Sequence, residues 1–472
     1  MQLMIVIDIS IVTVALHSIQ RDLGFEQAHL AWVTNAYTVG FGGSLLLSGR
    51  LGDLVGRKRM FVAGLSVFTL FSALGGVSQN QGMLIAMRFF QGVGAAMAYA
   101  VVMGIIFTLF QDPREVGKAM GAAGFVQAAG AAIGILLGAF LTQGINWHWV
   151  FFINVPIGVA AGVLAVKVVP ADKGMGFGSG IDIAGAVLAT AGMMLGVYTI
   201  ATVGDYGWQS GHTFGFGLGA LALLVGFVLR QTKAPVPLMP LTLFRSRNLT
   251  GGNLAHMLLV AATISFNILV ALYLQQVVGY SPIKAGLAFL PLALCAAVAS
   301  LTLSHRLNAK FGLRTVLLAS LVVMAAGLLL AARLPVHPDY AVDLLPVVVL
   351  LGAGGGLAMP AVMMLSMSVT SPQDAGLASG LAGTSGTVGD SIGIATMTAI
   401  AASHATTLLA RGQSLPEAMT GGYRLSFGIG AGVLAVAFVL GLLILRTPQQ
   451  PMGGPPPSDP AAELAGAESI PI

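Results

Sequence analysis

The sequence predicts an all-α integral membrane protein with about 14 transmembrane helices, built as two six-helix bundles with an inserted helix pair. Composition is the first reason, because 56% of the 472 residues are hydrophobic and 8% are charged, whereas an ordinary soluble domain has about 25% charged residues. The second reason is the recurrence of apolar runs of roughly twenty residues, the length that crosses a hydrocarbon core about 30 Å thick. The third is a weak internal repeat.

Apolar, glycine-rich runs follow one another along the whole chain. They lie near residues 3–19, 30–51, 60–77, 83–109, 117–142, 147–168, 183–203, 212–230, 250–274, 284–304, 314–333, 343–368, 375–402 and 425–445. An even number of crossings places both termini on the same side of the membrane. The first run lacks a basic flank and a small-residue cleavage site, so we expect a retained span rather than a signal peptide.

Lysine and arginine fall mainly on one side of these runs. If Met1 is cytoplasmic, sixteen of them lie on inward segments and five on outward ones, with Arg88 inside a span. This bias predicts cytoplasmic termini and a location in the cell membrane. The net charge is +5, and the basic residues are scattered over short loops. Membrane orientation therefore explains these residues better than binding to a nucleic acid does.

Cysteine and histidine usage argues against a metal or an enzyme site. The single cysteine, Cys295, excludes a disulfide framework and a cysteine metal cluster. The eight histidines are dispersed, and none has a ligand partner four residues on. A membrane-embedded enzyme would need such a metal set or a nucleophile with its base, so we expect no enzyme, no metal and no cofactor.

The repeat divides the chain. The segment GRLGDLVGRKRMFVAG from Gly49 aligns with HRLNAKFGLRTVLLAS from His305, an offset of 256 residues. PREVGKAMGAAGFVQAAGAAIG from Pro113 aligns with PQDAGLASGLAGTSGTVGDSIG from Pro372, an offset of 259 residues. Nearly equal offsets indicate duplication. They predict bundles at 1–168 and 250–446, a linker at 169–249 holding two inserted helices and an amphipathic connector, and a disordered cytoplasmic tail at 447–472.

The strongest local pattern is GRLGDLVGRKRMF, residues 49–61, a tight basic turn between the second and third predicted helices. Its glycines allow turns and close backbone approach, and its basic residues hold it at the cytoplasmic face. Here the chain resembles the major facilitator superfamily, whose loop between helices two and three reads much like this. The resemblance implies a conformational-switch loop, with Arg57, Asp53 and Asp112 as its charge cluster, formed by Gly49, Arg50, Gly52, Asp53, Gly56, Arg57, Lys58 and Asp112.

Further stretches are similar to the fourteen-helix drug:proton antiporters of that superfamily: RFFQGVGAAM from Arg88, WHWVFFINVPIG from Trp147 and YLQQVVGYSPIKAGLAFLP from Tyr273. The antiporter motif keeps its glycines at Gly130, Gly134 and Gly138, but Ile135 replaces its proline and Ala139 its last glycine. The three glycines form one smooth face along which another helix can approach and slide; ordinary small-residue packing is an equal alternative.

The matching helix of the second half departs from the subfamily at four positions. The subfamily commonly has Asn, Arg, Gln and Gly there, and this sequence has Gly383, Gly386, Thr387 and Asp390.

Three charged side chains stand out inside predicted spans: Asp8, Arg88 and Asp390. An ionised side chain there costs about 2.5–3.5 kcal/mol, so idle charges are rare. The resemblance implies that Asp8 and Arg88 face one water-filled cavity. Burial favours a neutral carboxyl and a nearby guanidinium favours the carboxylate, so we hypothesise that proton binding to Asp8 and substrate binding exclude each other. An inert buried ion pair is the alternative.

Other polar groups inside spans are candidates for the substrate cavity or its gate. Asp390 lies about 24 Å along its helix from Asp374, toward the outer side, where it either binds cationic substrates, seals the outer gate or has a structural role. Gln91, Asn253 and Asn267 are expected in the cavity. His256 is interpreted as a neutral, hydrogen-bonded side chain.

Together these features predict a monomeric exporter of hydrophobic or amphipathic drugs or antibiotics, embedded in the lipid bilayer and driven by the proton gradient without a cofactor. A facilitator or importer of another small molecule on the same fold is the alternative. Loss of export in the presence of a protonophore would separate the two.

Overall fold

A computed structural model describes residues 1–110, 113–172, 182–207, 209–234, 241–367 and 375–446, together with 174, 176 and 237–239. All regular structure in these residues is helical. Twelve helical segments among them are long and apolar enough to cross a membrane. The prediction of an all-α, multi-pass membrane protein is confirmed.

The first half contains six long helices and two short ones. They are α1 (Gln2–Leu23), α2 (Gln27–Leu30), α3 (Trp32–Val55), α4 (Arg57–Gly76), α5 (Gln81–Leu109), α6 (Pro113–Gly144), α7 (Trp149–Phe152) and α8 (Asn154–Val168). The 24-residue α3 and the 32-residue α6 are not among the twelve apolar segments, although they are long enough to cross a bilayer.

The inserted pair and the second half follow. They comprise α9 (Ile183–Ala201), α10 (Val203–Tyr206), α11 (Gly211–Lys233), α12 (Arg247–Leu272), α13 (Pro282–Ala288), α14 (Leu290–Val298), α15 (Ser304–Phe311), α16 (Leu313–Ala331), α17 (Leu345–Ser366), α18 (Ala375–Ala410) and α19 (Leu415–Ile444). A 3₁₀ turn at Leu241–Arg245 precedes α12. Single π-helical turns at Tyr273–Val277, Ala299–Leu303 and Tyr340–Leu344 extend α12, join α14 to α15 and lead into α17.

The basic turn is shorter than the sequence predicted. Gly56 alone separates α3 from α4, and its φ of 106° explains why a glycine stands there. Gly52 is not in a turn but inside α3, where a Cβ would clash with Val101 Cγ1 of α5. The expected turn over 49–61 is therefore wrong in extent, because the helices continue almost to the point where the chain reverses.

One side of the molecule carries this turn, and we call it the basic side. Met1, Phe61 and Val169 line one cleft, so the starts of α1 and α4 and the end of α8 lie together there. The start of α18 is also on this side, since Leu377 N donates to Asp53. The opposite side is called the far side.

The inserted pair is anchored at the basic side by Asp182, the N-cap of α9. Its carboxylate accepts hydrogen bonds from Gly185 N, Arg230 Nε and Gln231 Nε2, each at 3.0 Å. Burial alone would raise the pKa of the Asp182 carboxyl, but these hydrogen bonds together outweigh burial and hold that pKa below its ordinary value. The anchor therefore keeps its charge and ties the ends of α9 and α11 together.

The connector before α12 was expected to be amphipathic, with its basic end at the surface. Leu238, Met239 and Leu243 are buried in one apolar cluster with Leu46 of α3 and Leu377 of α18, while Arg245 and Arg247 are exposed. The apolar side of the connector thus helps to join the two halves. The division at residues 168 and 249 stays a prediction, and the tail at 447–472 lies outside the described residues.

Candidate functional site

A polar network occupies the interior of the first half, with Asp8 of α1 at its centre. Asp8 Oδ2 accepts from Arg88 Nη1 at 2.6 Å. Asp8 Oδ1 accepts from Gln91 Nε2 and from Asn154 Nδ2, both at 2.8 Å. Helices α1, α5 and α8 therefore meet at one carboxylate.

Arg88 of α5 also has several partners besides Asp8. Its Nε donates to Val33 O at 2.9 Å, and Nη1 also donates to Gln91 Oε1 at 2.7 Å. The guanidinium carbon lies 4.4 Å from the centre of the Tyr37 ring, within the range of a cation–π contact. Arg88 thereby links α3 to the network as well.

The expectation that Asp8 and Arg88 face a water-filled cavity is wrong for this conformation. Their exposed fractions are 0% and 1%, and Gln91, expected in the substrate cavity, is 0% exposed. Each side chain has its partners inside the first half, so the buried charges of Asp8 and Arg88 compensate each other. The two charges do lie together as predicted, and their part in proton coupling stays a prediction.

Two members of the network were missed from the sequence. Asn154 Nδ2 donates also to Ser72 Oγ at 3.1 Å, and Ser72 Oγ donates to Phe151 O at 2.9 Å. Asn154 is the polar residue of the apolar stretch WHWVFFINVPIG, which was the available signal. Ser72 offered none, because serine is common in packed transmembrane helices.

The basic turn forms a second cluster, which joins the two halves. Arg57 Nη2 lies 3.3 Å from Asp53 Oδ1, and Arg57 Nη1 donates to Gly104 O of α5 at 3.3 Å. Asp53 Oδ2 accepts from Leu377 N at 3.1 Å, at the start of α18. A carboxylate is favoured at a helix N-terminus, so Asp53 stabilises contact between the halves. Asp112, the third predicted member, lies outside the described residues.

Asp172, in the link after α8, completes this cluster and was not predicted. Its Oδ2 accepts from Arg57 N at 2.6 Å and its Oδ1 from Lys58 N at 3.1 Å, the first two amides of α4. Gly176 N donates to Leu54 O at 3.0 Å, so the link lies against the turn. Nothing in the local pattern singles out Asp172, because its partners are 114 and 115 residues away.

We expect Asp53→Asn to weaken the closed contact between the halves at the basic side. The substitution removes the ion pair with Arg57 and the negative charge at the start of α18, so the population opened there should rise about tenfold. The measurement is the maleimide labelling rate of Ala382→Cys, a position buried in this contact, after Cys295, the only native cysteine, has been changed to serine.

The matched control is Asp339→Asn. Asp339 also caps backbone amides, at Ala341 and Val342, but it lies on the far side. It should leave the labelling rate of Ala382→Cys unchanged. Equal labelling of the Asp53→Asn protein and its parent would show that Asp53 does not control this opening.

The antiporter-motif glycines lie on the face of α6 that packs against α1. A Cβ at Gly130 would lie 3.1 Å from Val6 Cγ1, one at Gly134 would lie 2.7 Å from Ser10 Cβ, and one at Gly138 would lie 3.0 Å from Ile11 O. The predicted close approach is therefore present, and its partner is α1, the helix that carries Asp8. Sliding along this face stays a prediction.

Polar residues of the second half gather between α12 and α18. Asn253 Oδ1 accepts from Ser385 Oγ at 3.1 Å, and Asn253 Nδ2 donates to Leu249 O at 2.8 Å. His256 Nδ1 lies 3.1 Å from Ala382 O, so this histidine is hydrogen-bonded as interpreted. Asn253 and His256 are buried, at 7% and 3% exposed, and Asn253 is thus a packing residue in this conformation rather than an open cavity residue.

Asp390 and Asn267 differ from these residues, because each has a buried oxygen, Oδ1, without a hydrogen-bond partner among the described residues. Both side chains remain partly accessible. Within the described part of the chain, no ion pair involves Asp390. Among the described residues, Asp390 of the second half therefore has no ion-pair partner, whereas Asp8 of the first half has one.

Comparisons with known proteins agree with this architecture. The family model of the Major Facilitator Superfamily matches residues 1–176, 174–394 and 253–469. The puromycin resistance protein pur8 of Streptomyces alboniger is 34% identical, covering 94% of this chain and 87% of its own. The cephamycin export protein CmcT of Amycolatopsis lactamdurans is 34% identical, covering 95% and 92%.

Solved structures show the same fold. The human organic anion transporter MFSD10 (TETRAN) superposes with a TM-score of 0.64 at 15% identity, covering 93% of this chain and 97% of its own. The proton:xylose symporter XylE superposes with a TM-score of 0.63 at 13% identity, covering 94% of each chain. By family match and by fold, this chain is a multi-pass membrane transporter, not an enzyme, and it belongs to the Major Facilitator Superfamily.

Proposed function

We propose that this protein exports hydrophobic or amphipathic drugs or antibiotics across the cell membrane, in exchange for protons, by alternating access. The observation that carries the proposal is similarity over nearly the whole chain to proteins named for resistance to puromycin and export of cephamycin. The bilayer and a small-molecule substrate are then its partners. The exporter acts as a monomer and needs no bound cofactor, because the proton gradient supplies the energy.

Contacts between the halves at the basic side support alternating access. A Cβ at Gly380 would lie 2.8 Å from Leu45 O, and one at Gly383 would lie 3.1 Å from Tyr99 Cε1. Beside them, Met103, Met363, Met367, Ala378 and Ala382 form an apolar cluster shared by α5, α17 and α18. These contacts, and the hydrogen bond from Leu377 N to Asp53, must break before substrate can enter from the basic side.

The basic side faces the cytoplasm in this proposal. The excess of lysine and arginine on the inward segments supports that orientation, and it places both termini in the cytoplasm. With α3 and α6 counted as spans, the twelve apolar segments become the fourteen crossings of the predicted architecture. The conformation described is then closed toward the cytoplasm.

Proton coupling at Asp8 would require the first-half network to open. In the closed arrangement, Arg88 and two amide groups donate hydrogen bonds to the two carboxylate oxygens of Asp8. A shift of α1 along the glycines of α6 would separate Asp8 from Arg88. Burial without the guanidinium then favours the protonated carboxyl, and the proton would be taken up in that state.

The test is efflux of an accumulated fluorescent drug from cells that lack other exporters. A protonophore should abolish efflux by the wild-type protein. Asp8→Asn, which cannot change its charge, should reduce efflux against a drug gradient at least about tenfold and remove its dependence on the pH gradient. Efflux that survives the protonophore would identify a facilitator instead.

The matched control is Asp22→Asn, on the same helix. Asp22 accepts a hydrogen bond from Trp147 Nε1 at 2.8 Å, and its side chain is 56% exposed. We expect this variant to keep efflux and its sensitivity to the pH gradient. If Asp8→Asn behaves in the same way, Asp8 and Arg88 are an inert ion pair and protons are coupled elsewhere.

A further inference from the structure

The ends of three helices of the second half meet at the basic side, and each carries an arginine. Arg247 is the first residue of α12, Arg314 is the second residue of α16, and Arg446 lies two residues beyond the end of α19. Arg314 Nη2 donates to Leu442 O at 2.9 Å, so α16 starts beside the end of α19. Arg446 N donates to Asn248 Oδ1 at 2.8 Å, so α12 starts there as well. We call Arg247, Arg314 and Arg446 the arginine cluster.

No acidic side chain of the described residues pairs with the arginine cluster. The acidic residues described in the second half are Asp339, Asp343, Asp390 and Glu417. Three of them lie on the far side, before α17 and at the start of α19, and the fourth lies within α18. None of the ion pairs in the described chain involves the cluster. Arg314 Nε is also buried without a hydrogen-bond partner among these residues.

The matching turn of the first half does have acidic partners. There Asp53 pairs with the first arginine of α4, and Asp172 accepts from the first two amides of that helix. In the internal repeat, Ala309 takes the place of Asp53, whereas Arg314 takes the place of Lys58. The second half thus keeps the cation but lacks the acid, and the N-termini of α12 and α16 add partial positive charge. This end of the protein is therefore suited to an anion from outside the chain.

An exposed apolar row on α19 leads to the arginine cluster. Val436, Val439 and Leu443 are each more than half exposed, and their spacing of three and four residues places them on one face. The row extends over about 10 Å and ends three residues before Arg446. Helix α19 is one of the segments that can cross a membrane, so its exposed apolar face contacts acyl chains. The cluster then lies at the level of the lipid headgroups.

We propose that the arginine cluster binds the phosphate of an anionic phospholipid from the adjacent leaflet. Arginine binds phosphate through several N–H donors at once, and basic pockets between transmembrane helices are typical sites for anionic headgroups. The phosphate lies between the starts of α12 and α16, and one acyl chain follows the apolar row of α19. A lipid fits this surface better than a soluble anion does, because side chains that contact hydrocarbon adjoin the cations. The site is separate from the intramembrane carboxylates and does not depend on the proposed export function.

The experiment uses native mass spectrometry to measure which lipids remain bound to the purified full-length protein in detergent. The protein is mixed with equal amounts of phosphatidylglycerol and phosphatidylcholine that have the same acyl chains. The wild-type protein should bind phosphatidylglycerol about tenfold more tightly than phosphatidylcholine. The double variant Arg247→Gln with Arg446→Gln should lose most of this preference, and the further change Arg314→Gln should abolish it.

The double variant tests the site without disturbing the end of α19. Arg247 and Arg446 have exposed side chains, whereas Arg314 also caps a carbonyl in the last turn of α19. The matched control is the double variant Arg333→Gln with Arg411→Gln, which removes two exposed arginines from the far side of the same half. It has the same net charge as the test variant and should prefer phosphatidylglycerol as the wild-type protein does.

Three results would overturn the inference. Equal binding of the two lipids by the wild-type protein would leave the acidic segment 447–472 of the same chain as the alternative partner of the cluster. An undiminished preference in the double and triple variants would show that the cluster does not select the lipid. Displacement of phosphatidylglycerol by an excess of inorganic phosphate would identify a site for soluble anions instead.

Discussion

Replacement of Arg88 by methionine is expected to destabilise the first half by about 3–5 kcal/mol, because Asp8 is then left buried without its counter-ion. Asp8 is 0% exposed, and relaxation cannot bring water to it without separating α1, α5 and α8. Methionine keeps most of the side-chain volume, so the effect reports the charge rather than a cavity. The measurement is the thermal unfolding midpoint of the purified protein, together with its amount in the membrane.

The double variant Asp8→Asn with Arg88→Met distinguishes the effect of the unpaired charge on stability from the effect of the altered side-chain shape. When both charges are removed, the penalty for an unpaired buried charge disappears, so the double variant should be more stable than Arg88→Met alone. Arg21→Met is the control, because Arg21 is exposed in the last turn of α1. An unfolding midpoint equal to wild type in Arg88→Met would mean that the ion pair does not hold the first half together.

Replacement of Gly134 by valine is expected to abolish efflux, because α6 can no longer approach α1. A Cβ at this position would lie 2.7 Å from Ser10 Cβ and 3.0 Å from Ile7 O, and backbone atoms cannot move aside without shifting the helix. Overpacking of this kind costs about 1–3 kcal/mol. The valine would also displace α1, the helix that carries Asp8. We therefore expect efflux to be lost even though the protein remains folded.

Gly144→Val in the same helix is the control. Among the described residues, no atom lies within 4 Å of a Cβ at Gly144, so this variant carries the same side chain without the clash. Drug efflux and unfolding midpoints of the two variants should be compared in parallel. If Gly134→Val exports as well as Gly144→Val, close approach of α1 and α6 is not needed for transport, and the glycine face is ordinary packing.

The class of fold and most of its helices could be predicted from the sequence, because the bilayer imposes simple rules. Every span needs about twenty apolar residues, and lysine and arginine stay on one side. The predicted runs accordingly coincide with the observed helices to within a few residues at most ends, as for 83–109 against Gln81–Leu109. The extent of the basic turn was wrong, because helix ends depend on hydrogen bonds that hydropathy does not report.

The candidate site could be predicted only in part, because some of its residues are marked by an unusual charge and others only by contacts with distant parts of the chain. Asp8, Arg88 and Asp390 stand out because a charge in an apolar run is costly. Three other site residues form hydrogen bonds with partners 79 or more residues away in the sequence: Asp172, Ser72 and Asn154. A local sequence pattern does not predict such contacts. Gln91 was expected in the substrate cavity, whereas the structure places it, fully buried, in the hydrogen-bond network of Asp8.

By itself, the sequence determined that this protein is a helical membrane transporter, since composition and periodicity are properties of the chain alone, and its internal repeat predicts a duplicated architecture. Only the tertiary structure decided which intramembrane charge is compensated. Asp8 accepts hydrogen bonds from Arg88, Gln91 and Asn154, while the Oδ1 atom of Asp390 has no hydrogen-bond partner in the part of the chain that the structure describes. The cost of a buried charge depends on the atoms within a few ångströms of it, and folding brings those atoms from distant parts of the chain.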